Sequence, residues 1–219
     1  MRRFWFRHPE WRLAGFALLA WVAVLLGAGG HAHTFWERQS EWLLMLATMM
    51  IPPALPMARH VIQNSMRHRR QRAGFLFAGS SLMYWLAGGV GVGLASWTGA
   101  ADYRRWLLGG SLLVAAAWEL TPAKRRALKA CHRTIPLPPD GRKADRACVK
   151  LGAMYGRACF RACWALMLPM VLVGHVGVFL MLLLTGVAVV EEVKDKGYRL
   201  APAAAVLLTV AGTMVLVLG

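Results

Sequence analysis

Little of this sequence is charged, and little of that charge is negative. Ten Asp and Glu stand against 26 Lys and Arg among 219 residues, with 16% charged and 58% hydrophobic. So small a polar fraction leaves little chain for a separate soluble domain, and a single domain over 1–219 is expected. Catalytic signatures are also missing. There is no Ser-His-Asp arrangement, no paired carboxylate set and no phosphate loop, so an enzyme is not expected. Cysteine is sparse, at Cys131, Cys148, Cys159 and Cys163, and no paired C-x-x-C of a zinc site occurs. A cleavable leader is not expected either. The first apolar run, flanked by Arg2, Arg3, Arg7 and Arg12, ends in Gly27–Gly30 without an A-x-A-like site. No internal repeat is visible, which argues against a transporter.

What the chain does have is six long apolar stretches, rich in Leu, Ala, Val, Gly and Trp, without strand-like alternation. A helix needs about 20 mostly apolar residues to cross the hydrocarbon, and helices satisfy their own backbone there. Spans are expected at about 12–30, 41–58, 74–97, 105–121, 158–190 and 201–219. The fold class is therefore all-α, a polytopic transmembrane helical bundle of about six spans, with seven possible. Basic residues alternate between loops, 20 on one side and 6 on the other. That pattern places the amino terminus and the Lys124–Lys150 loop in the cytoplasm of a bacterium, with the chain in its cytoplasmic (inner) membrane. The net charge of +16 follows the same alternation, so it reads as topology and nucleic acid is not an expected partner. With six spans the carboxyl terminus shares the cytoplasmic side. The fifth stretch reads as one tilted helix kinked at Pro169, because dividing it at Gly174 would carry Arg157 and Arg161 toward mid-bilayer. Trp42, Trp97 and Trp106 are expected as interface anchors. The glycine run from Gly88 to Gly93 reads as close helix packing within an apolar helix.

Several residues could carry chemistry. Met45 and Met49, four apart in the second span, share a helix face, and thioethers suit Cu(I); gap-filling packing is the plain alternative. Pro52, Pro53 and Pro56 free backbone carbonyls that need other partners, as in a broken helix lining a site or a span that ends. Glu119 is an ionisable group at the membrane boundary, either functional or paired with Lys124. Cys159, Cys163 and Met167 stand at i, i+4 and i+8 on one helix face, and with Cys131 they make a soft-metal set. The alternative is that these cysteines pack as small hydrophobes. Arg157 and Arg161 beside them would favour thiolates. His31 and His33 form a short outer-loop metal-capture pattern, and His175 calls for a helix–helix hydrogen bond.

At these residues the chain resembles a bacterial family labelled predicted metal-binding integral membrane proteins, sometimes copper chaperones. Trp42, Met45, Met49, Met50 and Pro52 match its Trp-x-x-Met-x-x-Ala-Met-Met-x-Pro stretch, with Thr48 in place of Ala. Thr121, Pro122, Lys124, Leu128 and Cys131 resemble a Thr-Pro-Leu-Lys-x-x-Cys-Leu-x-x-Cys stretch, with Ala127 at the first cysteine. Gly156, Cys159, Cys163, Trp164, Leu166 and Met167 match a third motif, in which Arg161 and Ala162 replace a Gly and a Cys. Glu191-Glu192 is similar to the family's late Glu-Lys pair. The resemblance covers about residues 40–200. It implies an integral membrane protein that binds or delivers a soft metal, most simply copper as Cu(I), to a partner copper enzyme. The implied metal ligands are Cys131, Cys159 and Cys163, with Met49 and Met167 secondary. The alternative is a non-catalytic accessory subunit packed in the bilayer against a larger membrane protein complex, its basic loops meeting anionic lipid.

Overall fold

A computed structural model describes residues 10–26, 35–95, 104–173, 178–194 and 197–218. Among these residues the protein is all-helical. Its helices are α1 (Glu10–Leu25), α2 (Phe35–Gln63), α3 (Arg70–Ala95), α4 (Arg104–Glu119), α5 (Pro122–Cys131), α6 (Gly141–Val173), α7 (Val178–Val193) and α8 (Ala201–Leu218). Short 3-10 turns at Arg67–Arg69 and Gly197–Arg199 lead into α3 and α8.

Pro52, Pro53 and Pro56 lie inside α2, which runs on to Gln63 without breaking. The site-lining broken helix that three prolines allow is therefore not what they make. Pro52 has no N–H to give the Thr48 carbonyl one turn earlier. The Trp21 indole of α1 donates to that oxygen instead, at 3.2 Å. One freed acceptor is thus satisfied by a neighbouring helix, which ties α1 to α2.

Helices α3 and α6 run side by side in the same direction. Arg69 meets Asp140 and Asp145 at their start; further along, the Phe77 ring lies 5.6 Å from Tyr155 and the Trp85 ring 5.3 Å from Phe160. Their closeness depends on Gly152 and Gly156. A Cβ on Gly156 would stand 2.7 Å from the Ser81 carbonyl oxygen, and one on Gly152 would collide with Phe77 and Ser80. The Ser81 hydroxyl donates to the Gly152 carbonyl at 2.9 Å across this seam. Cys159 follows one turn later.

The fifth apolar stretch is two helices, a correction to the single tilted span. Helix α6 ends at Val173 and α7 begins at Val178. The intervening sequence, Gly174-His175-Val176-Gly177, carries two residues of the lowest helix propensity after proline. Helix α7 returns along the bundle, bringing Glu192 back beside Cys159. Glu119, Lys124 and Glu191 meet at the same end, so α8 departs from there and Leu218 lies at the other. Lys194 and Arg199, in the turns between α7 and α8, lie at this end too, and counting the three basic residues of the Lys194–Arg199 sequence with the basic side changes the expected division from 20 against 6 to 23 against 3.

Among the described residues one helix, over Gln39–Gln63, is by itself long and apolar enough to cross a membrane. Ala14–Leu25 and Ala201–Val217 are shorter apolar helices. Trp42 is buried, its indole donating to the Trp85 carbonyl at 3.1 Å, so it is a core residue and no interface anchor. Trp106 is exposed under Arg105. The Gly88–Gly93 run lies inside α3. Trp97, His31, His33 and His175 fall outside the described residues.

Candidate metal centre

Short α5 begins with a helix-starting signature. The Thr121 hydroxyl caps the helix by accepting from the Lys124 amide at 3.2 Å, and Pro122 occupies the first turn. Its pattern is amphipathic: Lys124, Ala127, Leu128 and Cys131 face inward, while Arg125, Arg126 and Lys129 face out. Lys124 is fully buried and pairs with two buried carboxylates, Glu119 at the end of α4 and Glu191 of α7, the latter at 2.6 Å. Burial works to discharge Lys124. The two carboxylates outweigh it and hold its pKa above the ordinary lysine value. Of the two readings open for Glu119, pairing with Lys124 is what the structure shows, in a trio that clamps α4, α5 and α7.

Glu192, the next residue after Glu191, points about 100° away around α7 and meets the thiols. The Cys163 thiol donates to Glu192 Oε1 at 3.0 Å, and the Cys159 thiol reaches the same oxygen at 3.1 Å. The Tyr155 hydroxyl donates to Oε2 at 3.3 Å. On the other side, Cys159 Sγ lies 3.7 Å from Met50 Sδ. The ligand atoms of Cys159, Cys163 and Glu192 all fall within 4.8 Å of one another, and all three residues are buried. A soft ion with bonds to sulfur of about 2.3 Å bridges sulfurs up to about 4.6 Å apart, so these donors are close enough to converge on one ion.

Cys159 and Cys163 thus come together as their spacing predicts. Cys131 is buried on the inner face of α5 but outside that 4.8 Å group. Burial first, then Glu192 and Cys163, push its thiol pKa up. Met49 and Met167 are both buried in the core. The methionine that meets a thiol is Met50, one residue on from Met49. Arg157 and Arg161 are exposed, and two residues of helix place Arg161 about 200° from Cys159 and Cys163. The cation within electrostatic reach of Cys163 is Lys124. Sequence reasoning also missed Tyr155 and the role of Glu192. Their signals were weak ones: Tyr155 precedes Gly156, and Glu192 lies in the late acidic pair.

Residues 39–215 match the family described as PpoB2 copper chaperone. The chain belongs to the PpoB2 copper chaperone family. No curated protein and no solved structure matches it. Membership makes the protein's function copper-related, and the donors fit that metal. Two thiols and a thioether are the soft ligands Cu(I) prefers, and all three are shut away from water. The residues that carry the resemblance acquire physical roles here: Thr121 and Pro122 start α5, Lys124 closes the clamp, Gly156 lets α3 approach, and Cys159, Cys163 and Met50 bring their sulfur atoms to one buried place.

Proposed function

We propose that this protein is a non-catalytic, multi-pass protein of the bacterial cytoplasmic membrane. It binds Cu(I) between α2, α6 and α7 and delivers it to a partner copper enzyme. The observation that carries the reading is the convergence of Cys159, Cys163 and Glu192 with the Met50 thioether. Cys159 and Cys163 are the primary ligands, each losing its proton as the ion binds. Met50 supplies a thioether, and Glu192 orients the thiols through its hydrogen bonds. Met49 and Met167, the secondary ligands that the resemblance implies, lie buried in the same core.

Two observations support the membrane part. Large apolar side chains face outward on separate helices, among them Leu18 and Leu19 of α1, Met83 of α3, Phe179 of α7, and Val206 and Val217 of α8. Bilayer lipid is the partner such faces fit. The sharpened charge division supports a cytoplasmic position for α5 and the Lys124–Lys150 loop.

Metal analysis of the purified protein under reducing conditions tests the reading. About one copper per chain is expected, with loss of that copper in Cys159→Ala/Cys163→Ala. Copper unchanged in the double variant overturns the site.

A further inference from the structure

The buried centre needs a way in. Between the last turn of α5 and the turn that follows α7 lies a small dimple, lined by Leu128, Lys129, His132, Glu191, Lys194 and Tyr198, with Gly197 at its base. Its free volume is about 10 Å³, room for one water-sized group. Its back wall is Glu191, only 2% exposed; Oε2 pairs with Lys124 and Oε1 has no hydrogen-bond partner among the described residues. A buried carboxylate oxygen left open is costly, and it leaves an acceptor at the dimple wall still to be filled. At the rim, His132 and Lys194 are exposed, and the Lys129 ammonium sits 5.3 Å over the Tyr198 ring. Cys131, next to His132, is on the buried side of α5 with Leu128.

We propose that this dimple is the port through which Cu(I) reaches and leaves the Cys159–Cys163–Glu192 centre, with Cys131 as the transfer ligand behind it. The proposal rests on the reading of that centre as the copper site. The dimple opens at the basic end of the bundle, the end where the centre also lies; the ion therefore needs no passage along the apolar length of the helices. Transfer is a ligand exchange without redox change. Cys131 gives its proton to water in the dimple as it takes up the ion. The ion then forms a bond to the Cys163 sulfur as its bond to the Cys131 sulfur breaks; the proton leaving Cys163 goes back to Cys131, and the one leaving Cys159 goes to the Glu192 carboxylate it already touches. A thiol outside the 4.8 Å group, on the same buried face of α5 as Leu128, which lines the dimple, suits that step better than permanent ligation.

A port residue and a resident ligand differ in what their loss does. Losing a port slows loading and release equally and leaves the equilibrium alone; losing a ligand weakens retention. The full-length protein in detergent is loaded with Cu(I) under reducing conditions, and copper is withdrawn by excess of a water-soluble Cu(I) chelator. Cys131→Ala is expected to slow withdrawal about tenfold while copper per chain at equilibrium stays within about twofold. Lys194→Trp, at an exposed rim position that folding tolerates, should slow it too, whereas Met214→Trp on the exposed face of α8 should not. Unchanged rates in both Cys131→Ala and Lys194→Trp overturn the port. Equilibrium retention falling in Cys131→Ala as far as in Cys163→Ala overturns the transfer role and makes Cys131 a resident ligand. Wild-type protein that holds no copper defeats the site reading first, before any variant is compared.

Discussion

At the scale of single residues, the thiol pair was legible because it needs only one helix. Four residues of spacing put Cys159 and Cys163 on a common face wherever that helix packs. Which methionine joins them was not legible. Met49 and Met50 differ by about 100° around α2, and that rotation is set by packing against α1, α3 and α7. Glu192 was hidden for another reason: it comes from a helix whose direction depends on a turn that hydropathy does not report. The distinction is testable. Met50→Leu should lower Cu(I) affinity by about tenfold in a chelator competition, since a ligand is lost while volume is kept. Met49→Leu should leave affinity unchanged and cost less than about 1.5 kcal/mol of stability. Equal effects of the two substitutions would remove Met50 from the ligand set. Cys148, buried in the early part of α6 and apart from the centre, should give a copper-neutral Cys148→Ala.

At the scale of helices, the start of α5 could be read directly from Thr121-Pro122, because capping is local chemistry. The Lys124 clamp could be read only in part: pairing with Glu119 was one expectation, but Glu191 arrives from 67 positions away. Removing the lysine leaves two buried carboxylates facing each other. Lys124→Met is expected to destabilise the protein by about 3–5 kcal/mol in denaturant unfolding, and replacing all three residues with apolar ones should recover most of that. A Lys124→Met variant as stable as wild type would show that the trio holds nothing together. The link between α3 and α6 at their first turns behaves differently because it is exposed. The Gly141 amide at 2.7 Å, then Arg69 at 2.7 Å, hold the Asp140 carboxyl below its ordinary value of 3.8. A depressed folded pKa means the link is fully present above the unfolded value and is lost as pH falls through the folded one. The thermal midpoint should therefore fall below about pH 4, and Asp140→Asn should flatten part of that fall.

For the whole molecule, apolar stretches announced a helical bundle, and the structure is all-helical among its described residues. The number of crossings was harder. An uncharged run of 29 residues, Ala162 to Val190, fits one long helix or two short ones, and hydropathy measures apolarity without measuring direction. In the proposed membrane arrangement, the two-helix answer decides on which side the carboxyl terminus lies. A cysteine introduced at Gly141 should react with an impermeant maleimide only after cells are opened, and one at Val217 should react in intact cells. Both reacting under the same condition would restore an even number of crossings. The adjacent pair Glu191 and Glu192 has its own consequence for this architecture. Neighbouring residues on a helix face different directions, and here one is claimed by an ammonium and the other by two thiols. The pair therefore works as a key cut on two faces, which fits its lock at a single rotation of α7. Inserting one residue between Val178 and Glu191 would turn that key by about 100° and disengage both faces together. The clamp and the copper centre are bound to be gained, or lost, as a unit.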